Sequence, residues 1–280
     1  MEKVVVNKII PFSSVDGPGN RTAVFLQGCN INCRYCHNPE TRGMCTNCGE
    51  CVAKCPTGAL SIENKKVKYD SSKCVSCDTC IHVCRHDSSP RTKVMDAYEV
   101  YEMIKKQIPF IRGITVSGGE CMLHPKFLKE LFTLAVEDGL GTLIDSNGTI
   151  DFSKEKELLE VSDGVMLDIK AFSSEEHKKI TDSGNEIVLK NAQFLSSCGK
   201  LYEVRAVIVP TLYDTKESII QMGKFLKPLY EKNKFRIKII AYRPMGVREK
   251  YSHYPVPDQE YLHELAEILK NYGFEDLIII

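Results

Sequence analysis

Eleven of the thirteen cysteines in this 280-residue chain lie between positions 29 and 84, and only Cys121 and Cys198 stand apart. A segment this rich in cysteine and turn residues buries little apolar surface, and bound metal can supply the stabilisation that it lacks. The chain opens Met-Glu-Lys-Val-Val-Val, without the long apolar run of an export signal. We therefore expect a cytoplasmic protein whose cysteines bind metal and do not form disulfides.

The first three of these cysteines, Cys29, Cys33 and Cys36, form a C-x3-C-x2-C pattern in residues 28–37, here called the three-cysteine loop. Three thiolates bind three irons of a [4Fe–4S] cube and leave the fourth iron open to a substrate. A zinc site fits less well, because no fourth cysteine or histidine follows at zinc-finger spacing. Haem attachment, which the sequence from Cys33 to His37 also matches, occurs outside the cytoplasm. The pattern favours an open iron–sulfur cluster.

The other eight clustered cysteines lie in residues 42–92, here called the cysteine-rich segment, and form two C-x2-C-x2-C-x3-C runs. This spacing is that of bacterial ferredoxins, in which the fourth cysteine of each run ligates the cluster of the other run. The rule predicts two [4Fe–4S] clusters, one bound by Cys45, Cys48, Cys51 and Cys84 and the other by Cys74, Cys77, Cys80 and Cys55. One departure is that Arg85, where the pattern has proline, follows the last cysteine.

The charge balance argues against two classes of partner. Lysine plus arginine total 37, and aspartate plus glutamate total 37, so the formal net charge is zero. A chain without excess positive charge gives no support for binding to nucleic acid or to a membrane surface. No apolar run approaches transmembrane length.

Strand-like and helical patterns alternate outside the cysteine-rich segment. We predict strands at 22–27, 113–117, 141–145, 164–169, 201–209, 235–242 and 274–280. Helices are predicted at 96–107, 124–137, 153–161, 174–181, 185–197, 214–230 and 258–271, with Asp96 as an N-cap and Gly139 as a C-cap. Such alternation implies an α/β fold with parallel strands and ligand sites at their carboxyl ends.

Polar motifs follow several of these strands. Gly118-Gly119-Glu120 comes after the strand at 113–117, and Asp145-Ser146-Asn147-Gly148 ends the next one. Glycine turns after strands are common, and Asn-Gly alone fits a type I′ turn. The turn does not account for the aspartate that precedes it. These motifs are therefore candidate ligand contacts.

Three cations belong to the same set of candidates. Lys170 follows Asp168 at a strand end, where it is either a solvated lysine or a cation aimed at a ligand carboxylate. Arg205 lies inside an apolar strand, where a charge is costly unless it is paired or faces a polar barrel mouth. Arg243 follows the strand at 235–242.

Together these residues resemble the radical S-adenosylmethionine (radical SAM) enzymes, and among them the glycyl-radical-enzyme activating enzymes related to pyruvate formate-lyase activase. The three-cysteine loop and Gly118-Gly119-Glu120 carry the first resemblance. Asp16-Gly17-Pro18-Gly19 ahead of Arg21 carries the second. The resemblance spans nearly the whole chain, and the segments 8–13, 25–30, 36–39 and 77–80 look most like the YjjW subgroup.

The resemblance implies a fold and its domains. It predicts an incomplete (β/α)6 radical SAM barrel with an inserted ferredoxin-like domain that carries the two [4Fe–4S] clusters. Residues 1–41 and 93–280 would form the barrel, and residues 42–92 would form the insert.

The resemblance also implies site residues. Cys29, Cys33 and Cys36 would hold the catalytic cluster, and the cofactor-binding residues would be Tyr35, Gly118, Gly119, Glu120, Asp145, Ser146, Asp168, Lys170 and Arg243. Asp16, Lys170 and Arg205 would be catalytic, with Asp16 orienting a substrate peptide. Asp145 and Asp168, with the carbonyls of Ser146 and Met166, resemble a monovalent-cation site. Arg243 departs from the family, in which pyruvate formate-lyase activase has histidine.

The implied activity is reductive cleavage of SAM to a 5′-deoxyadenosyl radical, which removes hydrogen from a glycine Cα of a partner glycyl radical enzyme. Electrons would come from a flavodoxin or ferredoxin-type reductant. Two alternatives remain at this point. A ferredoxin-type electron carrier would leave the three-cysteine loop unused, and a maturase of the same superfamily tends to have further cysteines in a C-terminal extension, whereas none follows Cys198 here.

Overall fold

The computed structural model describes all of residues 1–280 and contains one nine-stranded sheet and one two-stranded sheet. The large sheet holds the order β11-β10-β9-β8-β7-β6-β2-β1-β5, and β3 pairs with β4. The strands are β1 Lys3–Ser13, β2 Arg21–Leu26, β3 Leu60–Glu63, β4 Lys66–Tyr69, β5 Lys93–Asp96, β6 Gly113–Gly118, β7 Gly141–Ser146, β8 Gly164–Asp168, β9 Leu201–Ile208, β10 Arg236–Ala241 and β11 Leu277–Ile279.

Seven strands of the large sheet, from β2 through β6 to β11, are parallel neighbours. β1 and β5 extend one edge in antiparallel pairing. No pairing joins β11 to β5, so the sheet is open, as a partial barrel is. The expected incomplete α/β barrel is confirmed at this level.

The helices are α1 Glu50–Lys54, α2 Thr79–His82, α3 Ala97–Lys105, α4 Pro125–Glu137, α5 Lys156–Glu160, α6 Ser174–Thr181, α7 Glu186–Ser197, α8 Thr215–Lys232 and α9 Gln259–Asn271. Helices α3 to α9 lie between successive strands of the sheet, and the apolar sides of all of them except α6 join one face of the sheet in a core of 46 buried residues. The buried apolar residue of α6, Ile180, packs in a smaller cluster with Tyr35. None of the helices combines the length and apolar character needed to cross a membrane.

Most predicted elements are present within two residues of their expected ends. Asp96 caps α3 through a capping box with Glu99, and Gly139 follows α4 with a φ of 73°. The predicted helix at 153–161 is shorter, because a 3₁₀ turn occupies 152–154 and α5 begins only at Lys156. Strands β1 and β5 and the β3–β4 hairpin were not predicted. The pairing of β1 with β5 joins residues far apart in sequence, whereas β3 and β4 pair locally across Asn64-Lys65.

Residues alternate between the two faces of each parallel strand. On β6, Ile114 and Val116 pack into the core, whereas Thr115 and Ser117 face the other side. The same period of two places Asp145 on β7 and Arg205 on β9 on the inner face. This inner face is polar near the carboxyl ends of the strands, so the barrel interior is suited to a charged ligand there.

The cysteine-rich segment contains α1, α2 and the β3–β4 sheet, none of which joins the large sheet. Both helices are short, five and four residues. Few residues of the segment are buried.

The start of β2 is fixed by a buried arginine from the Asp-Gly-Pro-Gly-x-Arg sequence. Arg21 donates through Nε to Thr115 Oγ1 at 2.9 Å and through Nη2 to the carbonyls of Ile114 and Gly141 at 2.7 and 2.9 Å. Glycine is needed beside it, because a Cβ on Gly113 would lie 2.7 Å from Arg21 Nη2. Arg21 thus links the amino-terminal halves of three strands.

The three-cysteine loop leaves β2 and lies against the end of β6. Gly119 donates to the carbonyl of Leu26 at 3.0 Å, and Glu120 donates to that of Gly28 at 2.8 Å. A Cβ on Gly119 would lie 2.0 Å from the Gly28 oxygen. The loop can approach this strand end only because residue 119 has no side chain.

We predict that Gly119→Ala destabilises the protein by about 3 kcal/mol, because the added methyl group forces the loop off the strand end. Gly139→Ala is the control: its position has a φ of 73° but no atom within 4 Å of the added Cβ, so only backbone strain of about 1 kcal/mol is expected. Thermal unfolding followed by circular dichroism compares the two variants. Equal losses would show that this close approach does not stabilise the loop.

Candidate active site at the carboxyl ends of the strands

A cavity of about 270 Å³ lies where the three-cysteine loop meets the carboxyl ends of the parallel strands. It brings together most residues that the sequence predicted for the site: Cys29, Cys33, Cys36, Tyr35, Gly118, Gly119, Asp145, Ser146, Asp168, Lys170 and Arg205. Three predicted residues, Asp16, Glu120 and Arg243, lie outside the lining. The cavity therefore combines three thiols with charges of both signs.

The loop that carries the thiols is held from two sides. The main-chain N–H groups of Asn32 and Arg34 donate to the carbonyls of Thr181 and Ile180 at the end of α6, at 2.8 and 3.0 Å. Asn147, which follows β7, donates through Nδ2 to Asn30 Oδ1 at 3.1 Å. The loop thus needs no regular secondary structure of its own to keep its position.

Cys33 is buried, and Cys29 and Cys36 are half-buried. Burial raises the pKa of Cys29 to about 11 and that of Cys33 to about 12, and it also raises the pKa of Cys36. No three cysteine, histidine or acidic side chains converge on a point for a single ion. A [4Fe–4S] cube does not need that convergence, because each thiolate binds a different iron.

Arg205 is the centre of a buried charge network. Its Nη1 lies 2.9 Å from Asp145 Oδ1, and its Nε donates to Glu203 Oε1 at 2.6 Å. Burial alone opposes the charge, but these carboxylates outweigh it and raise the pKa of Arg205. Lys238 Nζ lies 3.3 Å from the same Glu203 oxygen. Arg205 thus meets both expectations for a charge in an apolar strand, since it faces the polar cavity and is paired with carboxylates.

Lys170 is a largely buried, paired cation and not a solvated one. Its Nζ donates to Asp168 Oδ2 at 2.5 Å, and its side chain is 14% exposed. Burial opposes the ammonium form, yet Asp168 and its neighbours raise the pKa of Lys170, so it stays charged at neutral pH. It therefore brings a fixed positive charge to the cavity beside the three-cysteine loop.

The side chain of Glu120 lies outside the cavity lining and holds the turn after β7 in place. Its carboxylate accepts from the Asn147 N–H at 2.7 Å, from Ser146 Oγ at 2.9 Å and from the Met122 N–H at 2.9 Å. Burial raises its pKa to about 7 against the opposing effect of these bonds. The carboxylate thus fixes the turn after β7, and Gly118 and Gly119 line the cavity.

The turn after β7 is not of type I′. That turn needs a positive φ at both central residues, and only Gly148, at 72°, has one. Asn147 instead accepts the Thr149 N–H through Oδ1 at 2.9 Å. Its amide reaches the three-cysteine loop as a result.

Tyr35 and Arg243 occupy different settings. The ring of Tyr35 is buried in a small apolar cluster with Tyr213 and Tyr242, which leaves the backbone of the loop toward the cavity. Arg243 is exposed. The chain that follows it packs closely on the loop, since a Cβ on Gly246 would lie 2.6 Å from the His37 oxygen. His37 lines the cavity, and the sequence had not singled it out as a ligand contact.

Asp16 lies in the connection between β1 and β2, outside the cavity lining, where it contacts the inner face of β6 through Thr115. Its carbonyl accepts from Thr115 Oγ1 at 2.6 Å, and its carboxylate accepts from Ser13 Oγ. No main-chain N–H donates to that carboxylate, so the geometry is not that of an Asx turn. Capacity for further hydrogen bonds remains on the Asp16 side chain.

Sequence reasoning missed the partners that hold Arg205. Glu203 stands two residues before it on the same strand, and Lys238 is opposite Arg205 on β10. The period of two along β9 was a usable signal for the pair Glu203 and Arg205. The role of Lys238 needed the strand register and could not be read from the chain.

Two smaller cavities lie in the cysteine-rich segment. The lining of one includes Cys45, Cys48, Cys51 and Cys84, and the lining of the other includes Cys55, Cys74, Cys77 and Cys80. The eight thiols therefore group across the two sequence runs, with one cysteine exchanged between them.

Comparison with known proteins identifies the family. The model of the radical SAM superfamily matches residues 23–226. The chain is 30% identical to the indoleacetate decarboxylase activating enzyme of Tractidigestivibacter scatoligenes, over 99% of this chain and 97% of that one. It is 34% identical to the pyruvate formate-lyase-activating enzyme of Streptococcus mutans, over 88% and 80% of the two chains.

Two solved structures share the fold. A domain of a pyruvate-formate lyase-activating enzyme from Bacteroides vulgatus superposes with a TM-score of 0.52 at 23% identity, covering 60% of this chain and 98% of that one. SuiB of Streptococcus suis, bound to S-adenosylmethionine, gives 0.58 at 14% identity over 91% and 48% of the chains. By sequence and by fold, this chain belongs to the radical SAM superfamily and, within it, to the glycyl-radical-enzyme activating enzymes.

Proposed function

We propose that this enzyme activates a partner glycyl radical enzyme through a cluster bound by Cys29, Cys33 and Cys36. When bound and reduced, the cluster supplies the electron that cleaves SAM, and the resulting 5′-deoxyadenosyl radical takes hydrogen from a glycine Cα of the partner. The observation that carries the proposal is one cavity that joins three thiols to a largely buried lysine and a buried arginine.

The residues present fit the cluster and SAM. Only three cysteines line the cavity, so a cube there would keep one iron free. The charge of Lys170 suits the methionine carboxylate, and the backbone of residues 118–120 suits its ammonium group, since the Glu120 carboxylate is already occupied. Tyr35 would contact adenine through its backbone. Together, the Lys170 side chain and these backbone groups would orient SAM and exclude water from it.

We propose that the cysteine-rich segment, residues 42–92, is a ferredoxin-like domain with two further [4Fe–4S] clusters, flanked by barrel portions at 1–41 and 93–280. The two groups of four thiols are those that the crossed ferredoxin rule requires, which supports this assignment. Cys84 and Cys45 lie close in sequence to the segment's two ends. The clusters would conduct electrons toward the cavity.

The reductant proposed for these clusters is a flavodoxin or ferredoxin-type protein. The whole chain has no net charge, but residues 42–92 contain eight lysines and arginines against five aspartates and glutamates. A positive surface attracts an acidic electron carrier and speeds its encounter. This charge favours docking of such a carrier on the cysteine-rich segment.

A monovalent cation beside SAM remains part of the proposal. Its ligands would be Asp145 and Asp168 with the carbonyls of Ser146 and Met166. Both carboxylates already have a cationic partner, Arg205 and Lys170 respectively. The cation would therefore share these carboxylates with the two side chains.

The iron content tests the number of clusters. We predict about twelve irons in the anaerobically reconstituted protein, and about eight after alanine replaces Cys29, Cys33 and Cys36 together. Cys198→Ala is the matched control, because Cys198 is a solitary exposed cysteine, and it should keep all twelve. Four irons in the fully reconstituted wild type would refute the two additional clusters.

Binding of SAM tests the cavity. Lys170→Gln should weaken it about tenfold, because one charged hydrogen bond to the carboxylate is lost. Arg243→Ala should change it little, because Arg243 is exposed and outside the cavity lining. Isothermal titration calorimetry on reconstituted proteins of equal iron content measures both. A comparable loss of SAM affinity in the two variants would show that Arg243 also contributes to SAM binding.

Asp16→Asn tests substrate positioning. The variant keeps the size of the side chain, so iron content and uncoupled SAM cleavage should match wild type. Glycyl radical on the partner, measured by electron paramagnetic resonance, should fall about tenfold or more, because a displaced glycine Cα reacts slowly. Ser13→Ala, which removes only the hydroxyl bonded to Asp16, is the control. Radical formation at the wild-type rate in Asp16→Asn would leave Asp16 with a structural role.

A further inference from the structure

The two ends of the cysteine-rich segment lie directly on the three-cysteine loop. The N–H groups of Gly28 and Cys29 donate to the carbonyls of Thr41 and Arg42, at 2.7 and 3.0 Å. The N–H of Gly43 then donates to the carbonyl of Asp87 at 2.7 Å. The entry to the segment and its exit are therefore joined to each other and to the loop.

Close contact between the two ends depends on glycine at position 43. A Cβ there would lie 1.9 Å from the His86 carbonyl oxygen. Asp87 itself has a φ of 46°, in the left-handed region that aspartate tolerates better than most residues. The backbone at the exit is thus shaped to bring the Asp87 side chain back toward the loop.

One oxygen of Asp87 receives two arginines from different parts of the chain. Arg42 donates to Oδ2 through Nε at 3.0 Å and through Nη2 at 2.5 Å. Arg248, from the segment after β10, donates to the same oxygen at 3.2 Å. The Asp87 side chain is 19% exposed and that of Arg248 is 11% exposed, so water screens this pair weakly, whereas the Arg42 side chain is 33% exposed.

Arg248 extends the connection to a predicted cluster ligand. Its Nη2 donates to the carbonyl of Cys33 at 2.8 Å, and its Nη1 donates to Asn32 Oδ1 at 2.7 Å. Its Nε is buried and has no partner of its own. Asp87 is therefore the carboxylate that neutralises Arg248, whose other hydrogen bonds go to uncharged oxygens of the three-cysteine loop.

We propose that Asp87 is a positioning residue that holds the cysteine-rich segment in electron-transfer contact with the three-cysteine loop. It lies three residues after Cys84, and Arg42 lies three residues before Cys45. Both cysteines line the same small cavity. The inference rests on the proposed function, because it requires iron–sulfur clusters at both places. Without the carboxylate, Arg42 and Arg248 would repel each other, and the exit of the segment would move away from the loop.

The test uses the reconstituted enzyme with Asp87→Asn, which keeps the size of the side chain and removes its charge. Glu50→Gln is the matched control. Glu50 precedes Cys51, and both line the cavity that contains Cys45 and Cys84. The substitution removes one carboxylate there and breaks only the exposed pair with Arg85, at 3.4 Å. Asp87→Glu, which retains the charge, should restore part of any loss.

In Asp87→Asn, iron content, SAM affinity and dithionite-driven cleavage of SAM should equal wild type. Cleavage driven by a reduced flavodoxin, which delivers electrons to the cysteine-rich segment, should slow about tenfold, since misplacement of reacting partners is costly. Electron paramagnetic resonance of the fully reduced variant should show weaker magnetic interaction between clusters. Glu50→Gln should match wild type in every measurement.

Two outcomes would overturn the inference. Flavodoxin-driven cleavage at the wild-type rate, with unchanged magnetic interaction, would show that Asp87 does not set the contact. Loss of about four irons from Asp87→Asn would assign it to cluster assembly instead. Failure of the proposed function is a separate result, because it would appear in the wild type as an absence of dithionite-driven SAM cleavage.

Discussion

The backbone hydrogen bonds that hold the three-cysteine loop against the end of β6 determine where all the chemistry of this protein can occur. The loop has no regular structure, yet it stays at the carboxyl edge of the sheet because Gly119 and Glu120 continue the pairing of β6 with β2. The backbone of Gly28 approaches this edge so closely that a side chain at residue 119 would separate them. The thiols, the turn after β7 and the cysteine-rich segment all take their places relative to this contact.

The second feature that defines the cavity is a set of paired, largely buried charges. Arg205 is shared by Asp145 and Glu203, Lys238 compensates Glu203, and Lys170 is paired with Asp168. Charges removed from water are stable only when paired in this way, and removal of one partner is costly. The resulting interior is polar but nearly neutral, which suits SAM, a ligand that has a carboxylate, an ammonium group and a sulfonium. The apolar faces of the same strands meanwhile form the core.

Local sequence patterns were sufficient for the parallel strands and their helices, because each strand end and helix cap has its own signal, as Asp96 does for α3. They were insufficient for β1 and β5, whose antiparallel pairing is a long-range contact. The spacing of the motifs predicted many residues of the cavity lining, but the positions of Arg243 and Glu120 depend on how neighbouring segments pack. The links from Asp87 to Arg42 and Arg248 join residues 45 and 161 positions apart and have no local signal.

We propose that SAM binds in the cavity at the open iron of a cluster held by the three-cysteine loop. Electron–nuclear double resonance of the reduced enzyme, with SAM labelled at its methionine nitrogen and carboxylate oxygen, measures this contact. Both labels should show hyperfine coupling to the cluster, and the coupling should disappear when Cys33 is replaced by alanine. Tight binding of labelled SAM without any coupling would show that SAM does not bind the iron.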